Sequence, residues 1–305
     1  MWRRVSVTSG LRGLAAGAFI LVCQTVAAQP VPTAAPQRIV AAGGVVTEIL
    51  YDLGLQDRIV AVDTTSLEPR EALATKPNVG YLCALSAEGV LSLRPDLVIA
   101  AEGAGPPATI QLIEQAGVRV AHLNGETSEA GVADKVRTIG RLTGAADKAE
   151  DLAQAIERGF EAVSAEVRAN GAPARRVLFL LSLQNGKPVV AGRNTSADAM
   201  IRLAGAINAA DSLDGYKPIG PEGVLAAAPD IVLTMSRAGQ SLSPRDVFAL
   251  PAFSSTPAAA RGAFLSRDGL YLLGFGPRTP AALRDLVAAF RAAGGDAAPT
   301  RRAAP

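Results

Sequence analysis

The sequence contains few of the residues from which disulfides, metal sites and catalytic centres are made. Its 305 residues include two cysteines and one histidine. A zinc or manganese site normally needs several histidine or cysteine ligands, so we interpret His122 as a structural or surface residue. A Ser-His-Asp or Cys-His catalytic centre would depend on this same histidine, and no Gly-x-Ser-x-Gly motif is present. Enzymatic activity is therefore poorly supported.

A segment that could span a membrane is also missing. The apolar run from Leu14 to Val22 is too short to cross a bilayer. Three arginines precede it, and a small-residue Val-Ala-Ala sequence ends at Ala28, which is the pattern of a secretory signal peptide. We therefore expect residues 1–28 to be a signal peptide and no later segment to insert into a membrane.

Removal of this segment changes both the charge and the cysteine content. Residues 1–28 contain three arginines and no acidic residue, so the formal net charge falls from +2 to −1. The basic character belongs to the signal, which removes the main support for nucleic-acid binding. Cys83 then remains alone, which excludes an internal disulfide. Lipidation at Cys23 would need a small residue where Val22 stands, so soluble export is favoured.

Strand and helix patterns alternate along the rest of the chain. Seven short apolar segments have the pattern of strands: 38–42, 59–62, 97–100, 118–121, 176–181, 189–192 and 231–234. Helical spacing appears between several of them. This alternation predicts mainly parallel sheets with helices on their faces.

Residues 145–170 have the pattern of one long helix. From Ala145 to Ala169 there is no proline, and Ile156, Phe160 and Val163 give one apolar face. A helix of this length, about 37 Å, could connect an N-terminal lobe (37–144) to a C-terminal lobe (171–293). An ordinary surface helix of the first lobe would show the same spacing. We expect the Ala/Pro-rich residues 294–305 to be a disordered tail.

One segment occurs twice, 134 positions apart. Glu88-Gly89-Val90-Leu91 and Glu222-Gly223-Val224-Leu225 each precede a Pro-Asp pair and an apolar strand. The repeat predicts two similar α/β lobes that present Glu88 and Glu222 at the same structural place. Such glutamates can be favourable charges at helix N-termini or contacts for a partner with two-fold symmetry, and the repetition favours a partner.

Four further segments carry a family resemblance: residues 79–89, 192–200, 215–218 and 273–278. Together they resemble the haem-binding periplasmic proteins of bacterial haem ABC importers, over about residues 37–292. The repeated Glu and Pro-Asp elements are shared with the wider group that binds siderophores and cobalamin. The resemblance implies an α/β fold of two Rossmann-like lobes joined by a long backbone helix, the helical-backbone substrate-binding-protein fold.

The resemblance also implies that Tyr81 is the axial ligand of the haem iron. A phenolate is a hard oxygen donor suited to ferric iron, and its ionisation needs help from the metal and from nearby positive charge. Many relatives place an arginine two residues after this tyrosine, where this chain has Cys83. The activation of Tyr81 is therefore open, and Cys83 is a less favoured candidate ligand.

Further roles follow from the same resemblance. Arg237 comes after the predicted strand 231–234 and is a candidate to pair with a haem propionate or with the tyrosinate. Arg193 and Tyr271 are weaker candidates for the haem pocket. Glu88 and Glu222 would each form a salt bridge to arginines of the permease, one per lobe.

We therefore expect a monomeric periplasmic protein, not an enzyme, that binds haem between its lobes and delivers it to an ABC permease at the inner membrane. Two alternatives stay open. A binding protein for an iron-siderophore or a cobalamin would be favoured if Tyr81 did not ligate iron. A tetrapyrrole-modifying enzyme on the same scaffold would be favoured by product formation during incubation with haem.

Overall fold

The structure, a computed structural model, describes residues 1–2, 35–169, 171, 173–184, 186–236 and 241–294. Almost all of the expected signal peptide (1–28), Cys23, Arg237 and almost all of the expected tail (294–305) lie outside these residues. From Ala35 onward the chain forms one compact unit. Among the described helices, none is long and apolar enough to cross a membrane.

The first lobe is built on a sheet of four parallel strands: β1 (Ile39–Ala42), β2 (Ile59–Val62), β5 (Leu97–Ala100) and β6 (Arg119–His122). Their order is β2-β1-β5-β6. A separate antiparallel hairpin contains β3 (Gly80–Tyr81) and β4 (Ala84–Leu85). The helices of this lobe are α1 (Gly44–Asp52), α2 (Glu71–Thr75), α3 (Ala87–Ser92), α4 (Pro107–Gln115) and α5 (Glu129–Thr143), with a 3₁₀ turn at Gln56–Arg58.

The second lobe is built on a mixed sheet: β7 (Arg176–Gln184), β8 (Lys187–Ala191), β9 (Ile207–Asn208), β10 (Tyr216–Pro218), β11 (Ile231–Ser236) and β12 (Phe264–Asp268). Its main order is β10-β8-β7-β11-β12, and β9 also pairs with β7. Only two residues separate β7 from β8, which forces these two strands to be antiparallel. The helices are α7 (Ser196–Leu203), α8 (Pro221–Ala227), α9 (Pro244–Phe248), α10 (Pro251–Ser254), α11 (Pro257–Arg261), α12 (Gly269–Leu273) and α13 (Thr279–Gly294).

A single helix, α6 (Ala146–Ala169), joins the two lobes. Its buried residues recur at spacings of four and three, which gives the apolar face expected of an amphipathic helix. It packs against α5 of the first lobe and α13 of the second. One hydrophobic core continues from Ile49 through Phe160 of α6 to Phe179 of β7. The predicted fold class of two α/β lobes joined by a long helix is therefore confirmed, whereas the lobe boundaries 37–144 and 171–293 stay predictions.

The repeated Pro-Asp pairs have the same role in both lobes. The Asp96 carboxylate accepts hydrogen bonds from the backbone N–H groups of Gln37 and Arg38, at 2.8 and 2.9 Å. The Asp230 carboxylate accepts one from the backbone N–H of Arg176 at 3.0 Å. The Arg38 and Arg176 side chains in turn donate to backbone carbonyls at the ends of α3 and α8, at 2.7 and 2.8 Å. Each aspartate–arginine set fixes a repeated helix to the start of β1 or β7.

Candidate functional site

A cavity of about 500 Å³ lies between the two lobes. Its wall includes residues at or just beyond the carboxyl ends of β1, β2, β5 and β6 in the first lobe and of β11 and β12 in the second. Open α/β sheets bind ligands at this edge, because the loops that leave the strands converge there. The volume falls within the range of small-molecule pockets.

Tyr81 reaches the cavity from the tip of the β3–β4 hairpin, directly before its two-residue turn. The hairpin is held on both sides. The Gly80 carbonyl accepts a hydrogen bond from the backbone N–H of Thr64 at 2.9 Å, and the backbone N–H of Gly105 donates to the Leu82 carbonyl at 2.9 Å. Tyr81 is 47% exposed. The phenol is therefore accessible from the cavity on a loop whose backbone is fixed.

Gly43 and Gly44 form the wall between β1 and α1. Gly43 has φ +121°, and a Cβ there would lie 2.5 Å from the Cβ of Ala101, so only glycine fits. The Gly43 N–H donates to Asp63 Oδ1 at 2.7 Å, and the Gly44 N–H donates to Thr65 Oγ1 at 2.9 Å. These two hydrogen bonds hold the start of α1 against the loop that follows β2.

The opposite wall comes from the segment between β12 and α13. Leu270, Leu273 and Phe275 line the cavity there and present apolar surface. Phe275 is nearly fully buried and has φ +47°, an uncommon value for a residue other than glycine. An apolar ligand face could pack against this wall.

Two polar contacts join this segment to the first lobe. Arg278 donates a hydrogen bond to the buried carboxylate of Glu48 in α1. Lys135 Nζ of α5 donates to the Phe275 carbonyl at 3.3 Å. Burial raises the pKa of Glu48, and the hydrogen bond from Arg278 opposes this rise. The lobes are thus connected by the buried Glu48 and Lys135 and by the partly exposed Arg278.

The titratable side chains on the described wall come mainly from the first lobe. They are Tyr81, Glu102 and Lys135, with Asp268 from the second lobe. Lys135 is only 5% exposed. Burial lowers the pKa of Lys135, and the negative charge of Glu102 opposes this effect.

The structure places the other predicted pocket residues differently. Arg193 is exposed, forms an isolated β-bridge with Asp214 shortly before α7, and is not among the residues on the described wall. Arg237 lies outside the described residues, directly after Ser236, which lines the cavity. Cys83 lies in the hairpin turn with an exposed free thiol and is also not on the described wall. Of the predicted site residues, Tyr81 is the one that the described structure brings to the cavity.

Tyr271 points toward the last helix instead of the cavity. Its hydroxyl donates to Asp285 of α13 at 2.9 Å, and its ring centroid lies 5.3 Å from the guanidinium carbon of Arg278. Burial and the hydrogen bond with Asp285 raise the pKa of Tyr271 to about 12. These contacts give Tyr271 a role in holding the segment that follows β12.

Three charged wall residues were missed by sequence reasoning: Glu102, Lys135 and Asp268, the last residue of β12. Glu102 lies two residues beyond β5, and its place past a predicted strand end was a usable signal. Lys135 lies in α5, a helix that the sequence analysis does not identify. The available signals were the N-cap at Ser128, which accepts a hydrogen bond from the Gly131 N–H at 3.0 Å, and the left-handed Gly144 at the helix end.

A sequence model described as "Periplasmic binding protein" matches residues 39–268. The chain belongs to the periplasmic binding protein family. Solved structures similar to this family member include the periplasmic haem-binding protein BhuT in complex with two haems, and the periplasmic haem-binding protein RhuT from Roseiflexus sp. RS-1 in its apo form. Each is 39% identical with a TM-score of 0.79, and each match covers 84% of this chain and 98% of the other.

Curated relatives of this binding protein are more distant. The uncharacterized ABC transporter substrate-binding lipoprotein YvrC of Bacillus subtilis is 27% identical over 65% of this chain and 63% of the relative. The cobalamin-binding protein of Halobacterium salinarum is 29% identical over 65% of this chain and 54% of the relative. The match therefore spans less than two thirds of the length of these relatives.

The two repeated glutamates of this binding protein are exposed. Glu88 lies in the first turn of α3, and Glu222 lies in the first turn of α8. Neither carboxylate forms a hydrogen bond or ion pair with another described residue, unlike the repeated Asp96 and Asp230. The aspartates are used inside each lobe, whereas the glutamates are free to meet a partner.

Proposed function

We propose that this protein binds haem in the cavity between its lobes and delivers it to an ABC permease of the inner membrane. The observation that carries the proposal is the accessible phenol of Tyr81, held on a fixed hairpin at a cavity whose other wall is mainly apolar. Haem offers a ferric iron to the first group and large apolar faces to the second. The solved haem-binding proteins at 39% identity support the same ligand.

Tyr81 is the proposed axial ligand of the iron. Phenolate oxygen is a hard donor, and tyrosine is an established haem ligand. Cys83 follows in the hairpin turn, but it is not on the described wall, so the thiol is not the proposed ligand. Arg237 remains the proposed partner of a propionate or of the tyrosinate, and Arg193 and Tyr271 are weaker candidates. Because the Tyr271 hydroxyl donates to Asp285 of α13, an indirect role that positions the cavity wall is the better interpretation for Tyr271.

Glu88 and Glu222 are the proposed contacts with the permease, one per lobe. Their equivalent positions, their exposure and their lack of described partners support this role. A carboxylate on each lobe would meet a positively charged group on each half of a two-fold partner. Such contacts orient the complex and speed its formation.

Export and a binding role complete the proposal. The pattern of residues 1–28 and the periplasmic family support a soluble protein in the periplasm. The monomeric state stays part of the proposal. The family consists of binding proteins, and this supports transport of the ligand without chemical change. Cobalamin is the alternative ligand, because a cobalamin-binding relative matches at 29% identity.

Ligand choice tests this proposal directly. The protein obtained by expressing the full chain would be titrated with hemin, cyanocobalamin and a ferric siderophore, and followed by absorption spectroscopy. We expect saturable binding of hemin alone and recovery of unchanged haem after incubation. Saturable binding of cobalamin or the siderophore without hemin would replace the proposed ligand, and a modified tetrapyrrole would indicate an enzyme.

A further inference from the structure

Lys135 carries a buried positive charge that forms no ion pair with a described carboxylate, although the negative charges of Glu102 and Glu126 act on it from farther away. It belongs to the second turn of α5, and its side chain runs beneath the loop that follows β6. Its Nζ donates to two backbone carbonyls, that of Glu126 at 3.0 Å and that of Phe275 at 3.3 Å. The ion pairs of the described residues all involve other side chains. No described carboxylate therefore lies within 4.0 Å of the Lys135 ammonium.

Burial makes this arrangement costly. Lys135 is 5% exposed, and a buried ammonium loses most of its hydration. Two neutral carbonyls replace part of the lost hydration, but an ammonium has three N–H donors. The third donor has no acceptor among the described residues. Buried charges in proteins are normally paired, so a ligand carboxylate at hydrogen-bond distance would complement this ammonium more closely than the distant charges of Glu102 and Glu126 do.

The position of Lys135 restricts where that carboxylate can come from. Lys135 lines the cavity, and among the described wall residues it is the one basic side chain. Two hydrogen bonds fix the direction of the Lys135 side chain. One goes to the Glu126 carbonyl of the first lobe and the other to the Phe275 carbonyl of the second lobe. The ammonium is therefore held in place before a ligand arrives, which lowers the entropy cost of binding.

We propose that Lys135 is a ligand-binding residue whose Nζ donates its remaining N–H to a carboxylate of the bound ligand. This inference rests on the proposed function, under which the carboxylate is a haem propionate. A charge-assisted hydrogen bond in a buried site contributes more than a neutral one. Lys135 thereby selects ligands that combine an apolar body with an acidic substituent, and Tyr81 selects the metal.

The test compares two ferric porphyrins that differ only in this substituent. Hemin and hemin dimethyl ester share the iron and the ring, but the ester lacks the carboxylate charges. Both would be titrated into the wild-type protein and into the variants Lys135→Met and Lys135→Arg. Lys148→Met is the matched control, because Lys148 Nζ also donates to a backbone carbonyl, that of Leu53 at 3.4 Å, but is not on the described cavity wall.

We expect the wild type to prefer hemin over its ester, and Lys135→Met to reduce hemin affinity about tenfold while ester affinity changes less than about twofold. Lys135→Arg and Lys148→Met should keep the preference. Equal weakening of both ligands in Lys135→Met would show a structural role and overturn the inference, as would no change for either. If Lys135→Met does not fold, the other proteins still test the inference. Equal affinity of the wild type for hemin and its ester would overturn the inference, and so would loss of the preference for hemin in Lys135→Arg.

The same titrations of the wild type distinguish failure of the proposed function from failure of the inference about Lys135. A wild type that binds neither porphyrin would refute haem binding itself, and the inference would fall with it. A wild type that binds both porphyrins with equal affinity would keep haem binding and reject the role of Lys135.

Discussion

The two lobes share a scaffold, but they bring different chemistry to the cavity between them. In both, a Pro-Asp aspartate holds the start of a central strand, and an arginine at that start holds the end of the repeated helix. The side chains that line the cavity differ between the two lobes. The first lobe supplies Tyr81, Glu102 and Lys135, whereas the second supplies mainly apolar side chains such as Leu270 and Phe275.

This difference separates two tasks. The outer faces repeat, so they suit a partner built with two-fold symmetry. The cavity walls do not repeat, so they suit a ligand whose metal and polar groups need the first lobe and whose flat apolar body needs the second. The proposed transporter contact and the proposed ligand site can therefore be changed independently. The predictions below act on one of them or on the scaffold that connects them.

The largest expected effect concerns the repeated outer surface. Glu88→Ala combined with Glu222→Ala should lower haem uptake by cells about tenfold or more, because each lobe loses the charge proposed to meet the permease. Each single variant should have a smaller effect. Uptake is measured with a strain that depends on this protein for haem import. Haem affinity of the purified double variant should stay unchanged, and normal uptake by the double variant would reject the docking role.

The next effect concerns the contact between the lobes. Arg278→Met leaves the Glu48 carboxylate buried without its partner, which should cost about 3 kcal/mol of unfolding free energy. Burial raises the pKa of Glu48 and Arg278 opposes the rise, so the pKa should be higher still in the variant. A protonated Glu48 needs no partner, and the loss should therefore shrink as the pH falls from about 8 to about 5.

Urea unfolding of the wild type and the variant at several pH values measures this loss. Glu48→Gln combined with Arg278→Met is the matched control, because it removes the unpaired charge and should recover part of the stability at high pH. A loss from Arg278→Met that is the same at every pH would contradict a charge effect at Glu48.

A smaller effect compares the two equivalent aspartates. Asp96→Ala and Asp230→Ala should each cost about 1 kcal/mol, because each removes hydrogen bonds to backbone N–H groups at a strand start. Burial opposes ionisation of Asp230, but the hydrogen bonds from the Arg176 backbone and the Arg261 side chain hold its pKa below the ordinary value. The contribution of ionised Asp230 is present above that ordinary value and is lost as the pH falls through the lowered one.

Urea unfolding at neutral and acidic pH would measure both variants. Similar losses at neutral pH would support equal roles in the two lobes. A lower unfolding free energy in only one of the two variants would show that the two aspartates have the same structural position but contribute differently to stability.

The smallest expected effect is the change in the radius of gyration when haem binds. α6 packs against both lobes, and one hydrophobic core runs through it, so a large hinge motion would expose buried surface. The radius of gyration measured by small-angle scattering should therefore change little when haem binds. A clear compaction would contradict a rigid connection.

The sequence predicts the scaffold better than the cavity. Seven of the twelve described strands and the long helix α6 follow from local apolar spacing, which a single sequence displays. The strands β3, β4, β9, β10 and β12 were not predicted. The helix α5 was missed because Gly131 and Gly140 weaken its pattern. In the structure Gly140 is needed for packing, since a Cβ there would lie 2.2 Å from the Cβ of Ala149 in α6.

The cavity depends on contacts between distant parts of the chain. Glu48 and Arg278 are 230 positions apart, and Lys135 and Phe275 are 140 apart. No local pattern signals such pairs, so Lys135 was not recognised and Tyr271 was assigned to the pocket from resemblance alone. Tyr81 was found because its Gly-Tyr-Leu segment carries the family resemblance, and the structure explains its position by the fixed β3–β4 hairpin.

The most direct test of the central claim is the absorption spectrum of the ferric haem complex in the wild type, Tyr81→Phe and Cys83→Ser. The account predicts a five-coordinate ferric haem with a tyrosinate-to-iron charge-transfer band in the wild type. Tyr81→Phe should lose this band and bind hemin more weakly, because the iron loses its oxygen donor, while Cys83→Ser should keep it. A wild-type spectrum in Tyr81→Phe, or its loss in Cys83→Ser, would contradict the assignment of Tyr81 as the iron ligand.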